Sequence, residues 1–236
     1  TVWLNETYLG SQEADSNGRT QQTFRIPDGT LHTGSTNMLA ILLENSGHNE
    51  DGSTDDSFKE PRGIKSVTFP GGPAIAWRIQ GNLENDPVRG PMNTGGLFGE
   101  RNGWYLPHFN GSSWKRVDEQ AAAPKRAGVA WYRTSFSLHV PRDQDADVAL
   151  QIDDTNDRTY RELIYLNGWL IGRYINDVGP ETRFVLPNGI LRTDGENTLA
   201  IAHWSLDPDS TGLGIFSLRL LGNALTPLRI GDVYSP

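Results

Sequence analysis

The 236-residue sequence contains no cysteine, so disulfide bonds and cysteine-ligated zinc sites are excluded. It has no apolar run near the roughly 18 residues that a membrane-spanning helix requires. Basic residues are also few: 21 lysines and arginines stand against 29 aspartates and glutamates, which gives a net charge of −8. Because nucleic acids and anionic membrane surfaces select clustered basic residues, we expect neither as a partner.

The sequence also lacks the short motifs that usually mark an active site or a metal site. It has no Gly-x-Ser-x-Gly, no His-Glu-x-x-His and no phosphate-binding loop, and its five histidines lack the spacing of metal ligands. The acidic stretch 49–56 fails the EF-hand pattern, because positions one and twelve would be Gly47 and Phe58. We therefore predict no catalytic residue, metal or cofactor. A structural calcium ion in this stretch and an active site assembled from distant residues stay open as alternatives.

The residues that are present are typical of a β protein. Glycine (26) and proline (14) are frequent, as in turn-rich all-β domains. Apolar and polar residues alternate over 132–140 and over 148–152, which is the period of half-buried strands. Asn167-Gly168 predicts a tight hairpin, because a type I′ turn needs two residues that tolerate positive φ. Short antiparallel strands with long connections predict β-sandwiches of the jelly-roll kind.

Three blocks of sequence occur twice, in the same order. The matched ranges are 2–10 with 164–172, 24–41 with 184–201, and 63–66 with 214–217. In the second block, nine of the eighteen positions are identical. We interpret the blocks as two copies of one module.

The two copies differ in what precedes their first block. The second copy has residues 85–163, with strand-like patterns, ahead of its first block, whereas the first copy has only Thr1. If the copies share a fold, the front half of the first module is missing, which would leave costly unpaired sheet edges. We therefore predict a partial module over 1–84 and a complete module with a C-terminal extension over 85–236. We expect the chain to be a fragment or one piece of a nicked protein.

Several ordered motifs resemble a single enzyme family. They are Asn45-Ser46-Gly47-His48, Pro61-Arg62-Gly63-Ile64, Ile75-Ala76-Trp77-Arg78, Gly95-Gly96-Leu97-Phe98-Gly99-Glu100-Arg101, Gly103-Trp104-Tyr105-Leu106-Pro107 and Tyr165-Leu166-Asn167-Gly168-Trp169. In this order they resemble the C-terminal region of the large glycoside hydrolase family 35 β-galactosidases of fungi and some actinobacteria. The resemblance covers essentially the whole chain.

The resemblance implies two jelly-roll domains of the galactose-binding-like kind, downstream of a TIM barrel that removes terminal β-linked galactose with retention. In a retaining enzyme, two carboxyl groups about 5 Å apart act as nucleophile and as acid/base. In this family those glutamates lie on the barrel, so no residue of this chain inherits their role. The implied enzyme is secreted. The implied partners are its N-terminal catalytic part, which would include the missing strands of the first module, and galactosides.

The resemblance also marks one loop as a candidate for substrate contact. In the family, a loop in this region reaches toward the mouth of the barrel. It makes rim candidates of His48, Asn49, Glu50 and Asp51. Many relatives carry a tryptophan near position 52, where this sequence has glycine, so sugar stacking by this loop stays open.

Aromatic residues and sequons supply the remaining candidates. Trp104 and Trp114 lie in Gly- and Ser-rich stretches and are candidates for stacking on a sugar ring, with packing between domains as the alternative. Asn5 and Asn110 begin Asn-x-Ser/Thr sequons and are candidates for glycosylation, although sequons often occur by chance. Because Asn5 matches the turn residue Asn167, we expect Asn5 to be exposed enough to accept a glycan.

Two functions of different classes compete for this sequence. The first is a non-catalytic role, in which the modules buttress a β-galactosidase barrel and border its aglycone side. The alternative is a free-standing carbohydrate-binding module or lectin for galactosides, which would require a complete first module. Catalysis by the chain itself is a third and more distant hypothesis.

Overall fold

A computed structural model describes residues 1–13, 21–44, 63–72, 74–79, 95–117, 126–155, 157–177, 179 and 181–225. The predicted all-β fold is confirmed, because the strands in these residues pair antiparallel and the helix there has four residues. The chain divides into Thr1–Arg78 (unit 1) and Ile79–Pro236 (unit 2), each described by itself. The predicted boundary between residues 84 and 85 lies outside the described residues and stays a prediction.

The elements are numbered in chain order. They are β1 (Val2–Leu4), β2 (Thr7–Gly10), β3 (Leu39–Ile41), α1 (Phe98–Arg101), β4 (Gly128–His139), β5 (Gln144–Asp153), β6 (Tyr160–Leu166), β7 (Trp169–Ile175), β8 (Arg183–Val185), β9 (Asp194–Ser205) and β10 (Ile215–Leu225). β1 to β3 belong to unit 1, and the remaining elements belong to unit 2.

Unit 2 is a sandwich of two sheets, with strand orders β4-β9-β6-β7 and β10-β5-β8. Alternate residues of both sheets meet between them, as the period-two pattern predicts. Leu150 and Ile152 of one sheet and Ile164 and Leu166 of the other are at most 2% exposed. Burying side chains of this size contributes about 1.5–3 kcal/mol each. This apolar layer holds the two sheets together.

The four-stranded sheet of unit 2 is covered on its outer face as well. Tyr165, Ala200 and Ala202 point to this face and are at most 1% exposed. Leu97 and Leu106, from the segment that contains α1, pack against them. The central strands are therefore buried on both sides, which explains their nearly continuous apolar sequence.

The matched blocks have the same strand pairing in both units. β1 lies between β2 and β3, and the matched strand β6 lies between β7 and β9. Leu4 is opposite Leu39 in unit 1, and the matched Leu166 is opposite Leu199 in unit 2. The β1–β2 hairpin has a register shift between Val2 and Trp3, and the β6–β7 hairpin has one at the matched position between Ile164 and Tyr165. The sequence repeat is therefore also a structural repeat.

A glycine after the hairpin packs against a phenylalanine ring in both units. A Cβ added to Gly10 would lie 2.9 Å from the Phe24 ring, and one added to Gly172 would lie 2.4 Å from the Phe184 ring. Real Cβ atoms essentially never make contacts under 3.0 Å. Only glycine allows the ring to approach the strand this closely.

A hydrogen-bond network at the hairpin turn is the most specific feature that the two units share. In unit 2, Asn167 Nδ2 donates to Ile190 O (2.7 Å) and Asn197 Oδ1 (2.8 Å). Thr198 N donates to Asn167 Oδ1 over 2.9 Å. Asn167 has φ = 49° and Gly168 has φ = 88°, which confirms that both turn residues have the predicted positive φ.

Unit 1 repeats this network with matched residues. Asn5 Nδ2 donates to Thr30 O (2.9 Å) and Asn37 Oδ1 (2.6 Å), and Asn5 Oδ1 accepts from Met38 N (2.8 Å). Asn5 has φ = 48°. In both units, the asparagine therefore binds the hairpin turn to residues just before the point where the next strand pairs with the hairpin.

We predict that Asn167 stabilises unit 2 in two separable ways. Asn167→Gly removes three hydrogen bonds but tolerates the positive φ, and we expect it to lower the free energy of unfolding by about 2–3 kcal/mol. Asn167→Ala removes the same bonds and keeps a Cβ in the left-handed region, which alanine tolerates less well than asparagine or glycine, so it should cost about 1 kcal/mol more than Asn167→Gly. Urea unfolding of both variants measures the two losses. Variants within 0.5 kcal/mol of the wild type (roughly the precision of such data) would contradict the assignment.

Candidate functional site

The predicted substrate-rim residues His48, Asn49, Glu50 and Asp51 lie outside the described residues, and their role stays a prediction. The sugar-stacking candidates Trp104 and Trp114 are described and lie in unit 2. They belong to an aromatic cluster on the outer face of the four-stranded sheet, with a polar cleft beside it.

Trp104 is the centre of the aromatic cluster. Its ring meets Phe98, Trp114 and Trp131 edge to face, with centroids 5.5, 5.3 and 5.9 Å away. Phe109 closes the group at 6.3 Å from Trp104 and 5.4 Å from Trp114. Pairs with this geometry add about 0.5–1.5 kcal/mol beyond the area that they bury.

α1 brings Trp104 to the sheet because it approaches the sheet at a glycine. A Cβ added to Gly99 would lie 2.3 Å from Trp131 and 2.6 Å from Trp104. The next residue, Glu100, is 1% exposed, and both of its carboxylate oxygens accept hydrogen bonds. Its Oε1 accepts from Tyr165 Oη (2.6 Å), and its Oε2 accepts from Leu97 N (3.0 Å). Burial and the nearby Glu100 carboxylate raise the pKa of Tyr165, so this phenol remains a donor.

The two predicted sugar-stacking residues, Trp104 and Trp114, are thus brought into contact with each other. Both side chains are half-buried. Trp104 is surrounded by four aromatic rings, so packing accounts for much of its surface. Trp114 contacts the rings of Trp104 and Phe109, and sugar stacking by either tryptophan stays a prediction.

An open cleft of about 270 Å³ adjoins this cluster. Its lining comes from the loop after α1, from β4 and from β9: Pro107, Phe109, Gly111, Arg133, Thr134, Ser135, Glu196 and Thr198. The lining therefore includes three hydroxyl-bearing residues, one arginine and one glutamate around an open space. Sequence reasoning missed this cleft, because its residues come from three distant segments.

Arg133 connects the cleft to the aromatic cluster. Its Nη1 donates to Leu106 O (2.9 Å) and to Trp104 O, and its guanidinium carbon lies 5.4 Å from the Phe109 ring centroid. Partial burial lowers the pKa of Arg133, but an arginine stays charged at physiological pH. This side chain fixes the loop that carries Trp104 and leaves a positive charge at the cleft.

The two sequons differ in their surroundings. Asn110 is exposed, and its Oδ1 accepts from Ser112 N over 3.0 Å. The expectation that Asn5 is exposed is wrong, because Asn5 is half-buried and donates both Nδ2 hydrogens within the fold. A glycan on Asn5 would displace one of these bonds. Glycosylation at either position stays a prediction.

A buried polar cluster lies between the sheets of unit 2, and sequence reasoning missed it. Glu162 on β6 is opposite His203 on β9, and both side chains are at most 1% exposed. Glu162 Oε1 and His203 Nδ1 are 2.9 Å apart, and His203 Nε2 lies 3.1 Å from Ser210 O. Because a carbonyl oxygen only accepts, His203 Nε2 carries a proton. The Tyr160 ring packs on His203 at 4.4 Å.

A second layer of polar groups surrounds this pair. Asp154 Oδ2 accepts from Tyr160 Oη and from Arg158 Nη2, and Arg158 Nη1 also donates to Gly212 O (2.9 Å). Glu162 Oε2 and Asn176 Oδ1 are buried without a hydrogen-bond partner among the described residues. Burial raises the pKa of Glu162, and the hydrogen bond with His203 opposes this shift.

The described ranges contain no group of three acidic, histidine or cysteine side chains placed to hold a metal ion. In the same ranges, no helix has the length and apolar character that crossing a membrane requires.

Comparison with known proteins gives a consistent result. A family model described as the second all-beta domain of β-galactosidase matches residues 1–49 and 98–209. A probable β-galactosidase C from Penicillium rubens is 36% identical over 239 residues, which is 99% of this chain and 24% of the relative. β-Galactosidase A from Aspergillus niger is 36% identical over 244 residues, which is 100% of this chain and 24% of the relative. The chain thus spans about a quarter of the length of these curated relatives.

Solved structures overlap only part of the chain. A calcium-binding mutant of Bacteroides uniformis β-glucuronidase 2 is 23% identical, with a TM-score of 0.34, over 45% of this chain and 13% of that chain. A Ruminococcus gnavus β-glucuronidase is 13% identical, with a TM-score of 0.36, over 52% of this chain and 26% of that chain. Overlaps of this extent say nothing about function.

We predict that Glu162 makes the stability of unit 2 depend on pH. Its raised pKa means that its contribution is fully present below its ordinary pKa of 4.5 and is lost as pH rises through the higher folded-state pKa. Relative to Glu162→Gln, the wild type should therefore lose stability above pH 4.5, by at most about 1.4 kcal/mol per pH unit. Urea unfolding at several pH values measures this slope, with exposed Glu196→Gln as the control. A difference that does not vary with pH would count against the prediction.

Proposed function

Because the chain belongs to the family of the second all-beta domain of β-galactosidase, we propose that it is a non-catalytic part of a larger, secreted, retaining β-galactosidase. The sequence resemblance to β-galactosidases is confirmed. The observation that carries the proposal is the similarity to β-galactosidases over 99% of this chain and 24% of the relative. In this proposal, a TIM barrel outside the sequence hydrolyses terminal β-D-galactosides.

The described carboxylates support a non-catalytic role. A retaining glycosidase needs two carboxyl groups about 5–5.5 Å apart at one accessible site. Glu100 and Glu162 are buried and bound to Tyr165 and His203. The described lining of the cleft includes one carboxylate, Glu196. Acid/base chemistry with a nucleophile is therefore better assigned to the rest of the polypeptide.

The proposed partner is the catalytic part of the same polypeptide, including strands that complete unit 1. Unit 2 offers a rigid platform for it, since its four-stranded sheet is packed on both faces. The proposal also assigns the loop with His48, Asn49, Glu50 and Asp51 to the aglycone side of the active site. The segment from 41 to 63, which contains this loop, is about nine residues longer than its counterpart from 201 to 214. Surplus loop length is where function often lies.

Secretion is part of the same proposal. The exposed sequon at Asn110 supports it, because N-glycosylation takes place on proteins that enter the secretory route. Galactosides are the substrates proposed for the whole enzyme.

We predict that the purified 236-residue chain does not hydrolyse a chromogenic β-galactoside, whereas the longer polypeptide does. The reason is that both catalytic carboxyl groups would lie outside this sequence. Turnover by the chain that a point mutation within it abolishes would overturn the proposal. So would a longer polypeptide without β-galactosidase activity.

The aglycone role is tested in the same longer enzyme. Deleting nine residues between 45 and 60 should change KM or the ratio of transfer to hydrolysis while the barrel stays folded. Arg142→Ala with Asp143→Ala, in the exposed turn between β4 and β5, is the control and should change neither value. Unchanged kinetics on several galactosides would contradict the aglycone role but would not contradict the buttressing role.

Binding of a galactoside by unit 2 itself is a second candidate function. The open cleft favours it, because hydroxyl-bearing residues, Arg133 and the aromatic residue Phe109 line the same space. Calorimetric titration of the chain with galactose and lactose should then show binding, and Phe109→Ala should weaken it at least about tenfold, since losing one ring contact costs roughly 1–2 kcal/mol. Arg183→Ala, at an exposed position on β8, is the control. Absence of heat at millimolar ligand would exclude this function.

A further inference from the structure

The two copies of the module differ in one systematic way. In unit 2, β9 pairs with β6 on one edge and with β4 on the other. In unit 1, the matched strand β3 pairs with β1, and no second partner of β3 occurs among the described residues. The counterpart of β4 is thus absent from the described part of unit 1.

A second difference points to the counterpart of β5. In unit 2, β5 pairs with both β8 and β10. The matched residues of unit 1, 23–25 and 64–66, form no strand. In unit 2, β8 and β10 pair with β5, and their matches in unit 1 are irregular. By contrast, β7 and β9 pair with β6, and their matches in unit 1 are the strands β2 and β3.

The exposure of apolar residues follows the same division. Leu31 is 43% exposed and its match Leu191 is 5% exposed. Phe24 is half-buried, whereas its match Phe184 is 6% exposed. In unit 2, Phe184 contributes to the core that β5 helps to form. The described part of unit 1 therefore has side chains matched to those of a sandwich core, without the strands that cover them in unit 2.

The hydrogen bonds between β3 and β1 identify which backbone N–H groups of β3 point away from β1. Asn5 N donates to Met38 O, and Leu42 N donates to Thr1 O, each over 2.9 Å. Hydrogen-bonded pairs alternate in an antiparallel ladder, so Ala40 N also points toward β1. The N–H groups of Leu39 and Ile41 point to the opposite edge. Their matches in β9 face Thr134 and Tyr132 of β4.

We propose that unit 1 accepts two strands from the longer polypeptide of which it is a part. The first pairs with β3 as β4 pairs with β9, and places an apolar residue on every second position facing the core. The second pairs with residues 23–25 and 64–66 as β5 pairs with β8 and β10. This inference rests on the proposed function in one respect, since the larger enzyme supplies the strands.

Hydrogen exchange of single amides tests the pairing. In the 236-residue chain alone, the amides of Leu39 and Ile41 should exchange rapidly. In the longer polypeptide they should exchange at least about 100-fold more slowly, because both would donate to the new strand. The amide of Ala40 is the control within β3, and those of Leu199 and Ile201 are the controls in unit 2; all three should be protected in both proteins. Equal exchange of Leu39 and Ile41 in both proteins would overturn the proposal.

A matched pair of variants tests the covering of the core. In the chain alone, Leu199→Asp should abolish the unfolding transition of unit 2, whereas Leu39→Asp should shift the Tm of unit 1 only slightly. In the longer polypeptide, Leu39→Asp should become as disruptive as Leu199→Asp. An equally small effect of Leu39→Asp in both proteins would contradict the proposal. These readouts do not use activity, so a longer polypeptide that protects β3 but cleaves no galactoside would refute the proposed function and leave this inference standing.

Discussion

Backbone pairing on both edges of β9 is the constraint on which unit 2 depends. β9 pairs with β4 along all twelve of its residues and with β6 along seven of them. This pairing fixes which residues face each side: Leu199 and Ile201 enter the sandwich core, and Ala200 and Ala202 face outward. A register slip of one residue would exchange the two sets. The small outward alanines leave room for the aromatic rings that α1 and its loop bring to the sheet, so the candidate cleft depends on this register too.

The sequence predicted the parts of the fold that local chemistry determines. Alternation predicted β4 and β5, and Asn167-Gly168 predicted the positive φ angles at the β6–β7 turn. The same reasoning went wrong at Asn5, which local sequence presents as an exposed turn residue with a sequon. Its side chain is instead bound by residues 25 to 33 positions away. Nothing within a few residues of Asn5 indicates those partners, although the matched asparagines at 37 and 197 were a signal that the repeat already contained.

The buried pair of Glu162 and His203 shows the same limit more strongly. The two residues are 41 positions apart and meet because β6 and β9 are neighbours in register. Glu162 occupies an inward position of an alternating strand, where an apolar residue is the ordinary choice. A lone carboxylate there would cost several kcal/mol, and the hydrogen bond between Glu162 and His203 offsets part of that cost. The polar cleft is also assembled from segments far apart in sequence, and this explains why motif searching did not find it.

The two copies of the module show whether local sequence or pairing with a neighbouring strand decides that a segment forms a strand. Residues 63–66 and 214–217 share a sequence pattern, but 215–217 belong to a strand and 64–66 do not. A preference of the local sequence for strand would have acted on both. β10 has β5 as a neighbour, and the described part of unit 1 contains no equivalent of β5. Strand formation in this module is therefore decided by the presence of a partner, as expected when β-propensity mainly reports packing against neighbours. β3 has three residues, whereas β9 has twelve. We therefore attribute the shortness of β3 to its having fewer strands to pair with, and not to a lower preference of its sequence for strand.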